Sequence, residues 1–241
     1  MPLRRDSSPQ TLCGAGTCRR EKRVSVSVPS RALLGAMIPR IVARQLSRPT
    51  GLLGALIRRG MNRRNAEINA FVVRQLELAP TNRVLEIGFG GGAAIPSVLE
   101  GAAFVGGVDR SADVVARIEA RHATDVASGR AQFREGHVES LPFETASFDK
   151  AFTVHTVYFW TSLDAGFTEI HRVLAPGGQV AVGFVPKERM DRMGFPSDIF
   201  TPRTPHDVVA SLTKAGFRSV RVERPSPATL WNVVVAHRNP S

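Results

Sequence analysis

Val84-Leu-Glu86-Ile-Gly88-Phe-Gly90-Gly91-Gly92 is the stretch from which the fold is read. A short apolar run of strand character enters a glycine cluster with no linker between them, and helical spacing follows. This predicts a strand over 83–87, a turn, and a helix over 92–100. Glycines let the backbone turn sharply and let a ligand approach without Cβ atoms in the way, while free N–H groups at a helix start attract negative charge. A ligand of nucleotide type is expected there. Because Gly88-x-Gly90-x-x-Ala93 also satisfies the dinucleotide fingerprint, the stretch alone does not choose the ligand.

Downstream, a strand over 103–109 ends at Asp109, 21 positions after Gly88, where a carboxylate can accept hydrogen bonds from both ribose hydroxyls of an adenosine. Further strands are expected near 131–135, 148–154, 178–185, 217–223 and 230–237, with helices near 111–128, 162–174 and 204–215. Alternation of this kind marks a doubly wound α/β sheet. The Pro225-Ser-Pro227 turn leaves no room for a crossover helix, so the last two strands should pair antiparallel. The expected architecture is a mostly parallel seven-stranded sheet ending in an antiparallel hairpin, preceded by a helical cap.

Four segments then fall in order: VLEIGFGGG at 84–92, VDRS at 108–111, GHVESLPFETASFDKAFTVHTVYFW at 136–160 and EIHRVLAPGGQVAV at 169–182. Together they resemble the small-molecule class I S-adenosylmethionine-dependent methyltransferases, the kind that includes the ubiquinone and menaquinone C-methyltransferases. The similarity covers roughly residues 60–185. It implies a Rossmann-like domain with S-adenosylmethionine as cofactor and a small-molecule acceptor. In such proteins the glutamate at the position of Glu86 helps hold the methionine amino group, and the glycine loop, here Gly88, Gly90 and Gly92, runs past the methionine end. The acid at Asp109 takes the ribose, and Arg110 would lie beside the adenine. Where relatives often carry an acid for the adenine amino group, this chain has His137, whose neutral imidazole can accept one hydrogen bond while the N–H of Val138 reaches the ring.

After the fourth strand comes Thr153-Val-His155-Thr-Val-Tyr158-Phe-Trp160, at the carboxyl ends where open α/β sheets place their ligands. Methyl transfer requires alignment of an acceptor atom and, if that atom is protonated, a base. His155 is the candidate base and Tyr158 a candidate for orienting the acceptor or the sulfonium. The stretch Pro186–Arg203, with Met190, Met193, Phe195 and Phe200, is expected to form a lid. Two other readings stay in view: a nicotinamide oxidoreductase, and a non-catalytic protein that binds S-adenosylmethionine. The first is disfavoured because Tyr158, the sole tyrosine, has Ser162 where the short-chain branch needs lysine. Nucleobase methylation is disfavoured because no Asp/Asn-Pro-Pro-aromatic motif follows the fourth strand.

The net charge of +11 invites a nucleic-acid partner, yet residues 1–64 hold 14 of the 32 Lys and Arg but only two of the 21 Asp and Glu, so the remainder is close to neutral. Nucleic acid is therefore a poor expectation. Residues 1–36 read as a disordered basic extension, with an organelle-targeting segment or a mis-assigned start as alternatives. Residues 37–79 read as the helical cap, and 80–241 as the cofactor-binding domain. Arg58, Arg59, Arg63 and Arg64 favour either solvent or peripheral contact with an anionic membrane surface. Cys13 and Cys18 match neither a disulfide framework nor a zinc site, and no metal is expected. The expected compartment is cytoplasmic.

Overall fold

The structure, a computed structural model, describes residues 65–240. The parts of the expected extension and cap that fall on residues 1–64 lie outside the described residues. What is described of the cap is helix α1 (Ala66–Gln75), which buries Ile68 and Val72. These two side chains settle on Gly183, where an added Cβ would come within 3.0 Å of both.

The sheet consists of β1 (Arg83–Ile87), β2 (Phe104–Asp109), β3 (Ala131–Glu135), β4 (Phe148–Val154), β5 (Leu174–Phe184), β6 (Arg218–Glu223) and β7 (Asn232–His237), in the order β3-β2-β1-β4-β5-β7-β6. The first five strands run parallel, while β7 is antiparallel to both β5 and β6. Central strands are buried along most of their length because both faces are covered. In β7, Val233 and Val235 enter one core with Ile68, Ile95 and Phe152, whereas Val234 and Ala236 enter the other with Phe148, Phe167 and Phe217. Period-two alternation thus feeds two cores, one on each side of the sheet.

Helices α2 (Ile95–Gly101), α3 (Ala112–Arg121), α4 (Ala123–Ala127), α5 (Leu163–Val173), α6 (Lys187–Met193) and α7 (Pro205–Lys214) complete the fold. The fold class is as expected, and four boundaries differ for local reasons. Helix α2 begins at Ile95 rather than 92, since Gly90 and Gly92 hold φ of +50° and +66°, which no right-handed helix admits. The helix expected over 111–128 breaks at His122, whose φ of −109° and ψ of 29° separate α3 from α4. Strand β5 starts at Leu174 through a register shift opposite Phe148 and Lys150. The stretch expected to be a lid contains α6, closed by Gly194 in the left-handed conformation.

At the start of α7 the Thr204 side chain accepts from the Asp207 N–H at 3.1 Å, and the Asp207 carboxylate accepts from the Thr204 N–H at 2.9 Å. This reciprocal capping box satisfies two otherwise orphaned donors. Thr204→Ala is expected to cost about 1 kcal/mol and to lower the midpoint of thermal unfolding by roughly 2–4 °C, measurable by calorimetry. No helix among the described residues is long and apolar enough to cross a membrane.

Candidate active site

Strand order reverses between β1 and β4: connections from β1 run outward through β2 to β3, then return across to β4. Such a switch point opens a crevice at the carboxyl ends of the strands. A cavity of about 300 Å³ lies there, lined by the glycine loop, the ends of β1 and β2, the loop after β3 and the loop after β4. Its size is at the lower end of small-molecule sites.

The glycine loop is held against this cavity by two anchors. Gly88 N–H donates to Val108 O at 2.7 Å, and Gly90 N–H donates to the Asp109 carboxylate at 3.0 Å. Gly88 has φ +71°, and any Cβ there would run into the Thr156 methyl group, so the loops after β1 and β4 approach only because this position is bare. At Gly90 an added Cβ would meet nothing, and a longer side chain would occupy the cradle itself. Gly92 does something else. It is not part of the cavity lining, and its Cβ would lie 2.7 Å from Ile118, so its bareness serves the packing of the loop on α3 rather than a ligand.

Asp109 also accepts from Ser111 N–H at 3.1 Å. Burial raises its pKa, against the pull of the Gly90 and Ser111 N–H groups. Glu86, 6% exposed, lines the same cavity, and its Oε2 has no partner among the described residues. Burial, and after it the charge of Asp109, push the Glu86 carboxyl up to about 8. A buried carboxyl oxygen with nothing to bind is costly unless a cation or donor completes it. Two acids and a bare loop on one wall thus fit a cationic, ribose-bearing cofactor.

Around the rim, Arg110 stacks its guanidinium over Phe159 at 5.1 Å from the ring centroid, and exposed His137 and buried Val138 line the wall after β3. Glu139 accepts from the N–H groups of Thr161 at 2.8 Å and Ser162 at 3.4 Å, tying that loop to the start of α5. The floor includes His155, a non-glycine residue at φ +58° whose N–H donates to Gly183 O at 2.8 Å. Strained backbone of this kind costs of order 1–3 kcal/mol and persists where the surroundings enforce it. Burial depresses the His155 pKa to about 4, so its imidazole is neutral near pH 7. Tyr158 does not line the cavity. It is 5% exposed and its hydroxyl faces His155 Nδ1 at 3.2 Å and the backbone of Val185.

Pro186–Arg203 contributes nothing to the cavity lining, which corrects the expected lid. Met190 and Phe200 are buried in the core, while Thr201 N–H donates to Tyr158 O and Arg203 to Trp160 O, each at 3.0 Å. The segment braces the loop after β4 from behind. Sequence reading missed Asn65 and Asn69, which line the cavity from the start of α1. Their spacing, four positions apart on one helix face, was the available signal.

A family model described as a methyltransferase domain matches residues 85–182. An uncharacterized methyltransferase of Bacillus subtilis, YdaC, is 26% identical over 164 residues, covering 66% of this chain and 84% of that protein. The ubiquinone/menaquinone biosynthesis C-methyltransferase UbiE of Geotalea daltonii is 28% identical over 119 residues, covering 46% of this chain and 49% of the relative. Among solved structures, phosphoethanolamine N-methyltransferase 2 of Haemonchus contortus in complex with S-adenosyl-L-methionine shares the fold, with TM-score 0.59, 19% identity, and coverage of 72% of this chain and 52% of that one. The chain therefore carries a methyltransferase domain over residues 85–182. The cofactor of such a domain is S-adenosylmethionine.

Proposed function

We propose that the chain methylates a small-molecule acceptor, binding its cofactor through Glu86, Gly88, Gly90 and Asp109 and using His155 as the proton acceptor. The observation that carries this reading is the buried Glu86 carboxyl, whose Oε2 has no partner among the described residues, in a cavity that also holds Asp109 and a neutral imidazole. When bound, S-adenosylmethionine supplies a methyl group on a sulfonium. Glu86 would hold the α-ammonium, and two backbone donors leave Asp109 with lone pairs for the ribose hydroxyls. Arg110, His137 and Val138 would flank the adenine, and Phe159 and Trp160 would keep water from the reacting end. A neutral His155 adds no positive charge beside a sulfonium and keeps a lone pair for a proton. The small-molecule character of the acceptor draws support from the quinone-pathway relative, and the near-neutral charge of residues 65–241 does not favour a phosphate backbone.

The test is calorimetric titration of the full chain with S-adenosylmethionine, S-adenosylhomocysteine and NADH, beside Gly90→Arg. The first two should bind and the substitution should abolish binding, because its side chain fills the cradle. Binding of NADH alone would remove the assignment. A methyl-label transfer screen should then yield product in a small-molecule extract and none in RNA or protein fractions.

A further inference from the structure

His155 and Tyr158 form a pair for which one arrangement of hydrogen bonds satisfies every group of the cluster. The Tyr158 hydroxyl has one proton and two lone pairs. Val185 N–H, always a donor, takes one lone pair at 2.5 Å. The hydroxyl proton then has two possible acceptors: Val185 O at 3.3 Å and His155 Nδ1 at 3.2 Å. Val185 lies just past the end of β5, and no other donor reaches its carbonyl among the described residues. Sending the proton to Nδ1 would leave that carbonyl without a partner among the described residues, whereas sending it to Val185 O leaves every group of the cluster satisfied. The proton therefore goes to Val185 O, and the remaining lone pair accepts from a protonated Nδ1.

We infer that Tyr158 is a positioning residue that holds His155 as the Nδ1–H tautomer, so that Nε2 presents its lone pair to the cavity. The inference rests on the proposed role of His155 and deepens it. Nε2 has no hydrogen-bond partner among the described residues, His155 lines the cavity, and the two rings lie nearly parallel at 21° with centroids 6.2 Å apart. Further support comes from the low pKa of His155, since only a neutral ring has a tautomer to choose. In the transfer, the acceptor's X–H bond breaks and its proton goes to Nε2, while the electron pair left on X forms the bond to the methyl carbon. The S–CH₃ bond breaks with its pair returning to sulfur. Positive charge lost from sulfur reappears on the imidazolium, so the net charge of the cavity is unchanged, and the Nδ1–H bond to Tyr158 is kept throughout. With the other tautomer Nε2 would be a donor and the proton would have nowhere to go.

The experiment is a long-range proton–nitrogen correlation spectrum of the full chain with ¹⁵N-labelled histidine, in which His155→Gln identifies one of the six imidazoles. Near pH 7 the wild type should show His155 protonated at Nδ1 and bare at Nε2. Tyr158→Phe, still binding S-adenosylhomocysteine by calorimetry, should move the population toward Nε2–H by several-fold. A purely structural tyrosine would leave the tautomer where it was, and that result overturns the inference. So does an Nε2–H ring in the wild type, a measurement that needs no variant to fold. A wild type that shows Nδ1–H but binds no cofactor would instead remove the methyltransfer role and leave the tautomer assignment standing.

Discussion

Asp109→Ala is expected to weaken binding of S-adenosylhomocysteine by about 100-fold or more, the largest effect of a single side chain in the site. The proposed pair of ribose hydrogen bonds to an ionised carboxylate is worth about 1.5–3 kcal/mol each, and about 1.4 kcal/mol is a factor of ten in affinity. A second loss accompanies the first, because the same carboxylate accepts from Gly90 and Ser111 N–H and so latches the glycine loop to the end of β2. Asp109→Asn keeps a carbonyl oxygen for one of these donors and should fall between alanine and wild type. Calorimetric titration of both variants, with thermal unfolding to confirm the fold, checks the order. An alanine variant that binds within threefold of wild type would remove Asp109 from the ribose.

The second large effect is a dependence of cofactor affinity on pH that runs opposite to the stability of the empty protein. With its carboxyl near 8 in the empty site, Glu86 is protonated at neutral pH, and holding an ammonium requires the ionised form. Binding must then release a proton, so affinity should rise up to tenfold per pH unit as pH approaches about 8, then level off. Stability behaves inversely. A carboxyl whose folded pKa lies above its unfolded value of 4.5 contributes stability that is complete below 4.5 and is lost as pH rises toward about 8. The empty wild type should therefore melt at progressively lower temperature across that window, and Asp109, also raised, adds in the same direction. Glu86→Gln should flatten both profiles, at the expense of affinity above pH 8. Proton release is read directly by titrating S-adenosylhomocysteine in buffers of different ionisation enthalpy. An observed heat independent of buffer would show that Glu86 does not receive the ammonium. Since the charge of Asp109 helps raise Glu86, Asp109→Ala should also move the Glu86 titration to lower pH.

Both effects originate in residues that stand out by their position along the chain: Glu86 by its place in the first strand, and Asp109 by its distance from the glycines. Each stands at the carboxyl end of a parallel strand, and the order of apolar runs and glycines puts those ends side by side. The same local logic located all seven strands to within a few residues. It failed where a neighbour distant in the chain determines the outcome. Gly92 reads like its companions Gly88 and Gly90, yet what it accommodates is Ile118 of α3. Tyr158 reads as a residue that orients the acceptor or the sulfonium, but it turns inward to the backbone of Val185, 27 residues on. The segment 186–203 has a lid's composition, but Met190 and Phe200 are drawn into the core because an apolar side chain gains more by burial than at a mobile rim.

From sequence alone came the class of fold, the two acids that line the cavity and the neutral character of residues 65–241, because each depends on chain-local properties: apolar period, bare backbone and charge count. Tertiary structure alone decided that β7 enters between β5 and β6, that Asn65 and Asn69 line the cavity from the start of α1, and that Oε2 of Glu86 has no partner among the described residues. These depend on which surfaces meet after the chain has closed on itself. Whether a carboxyl is paired or orphaned is a property of its neighbours' positions, which no spacing along the chain encodes.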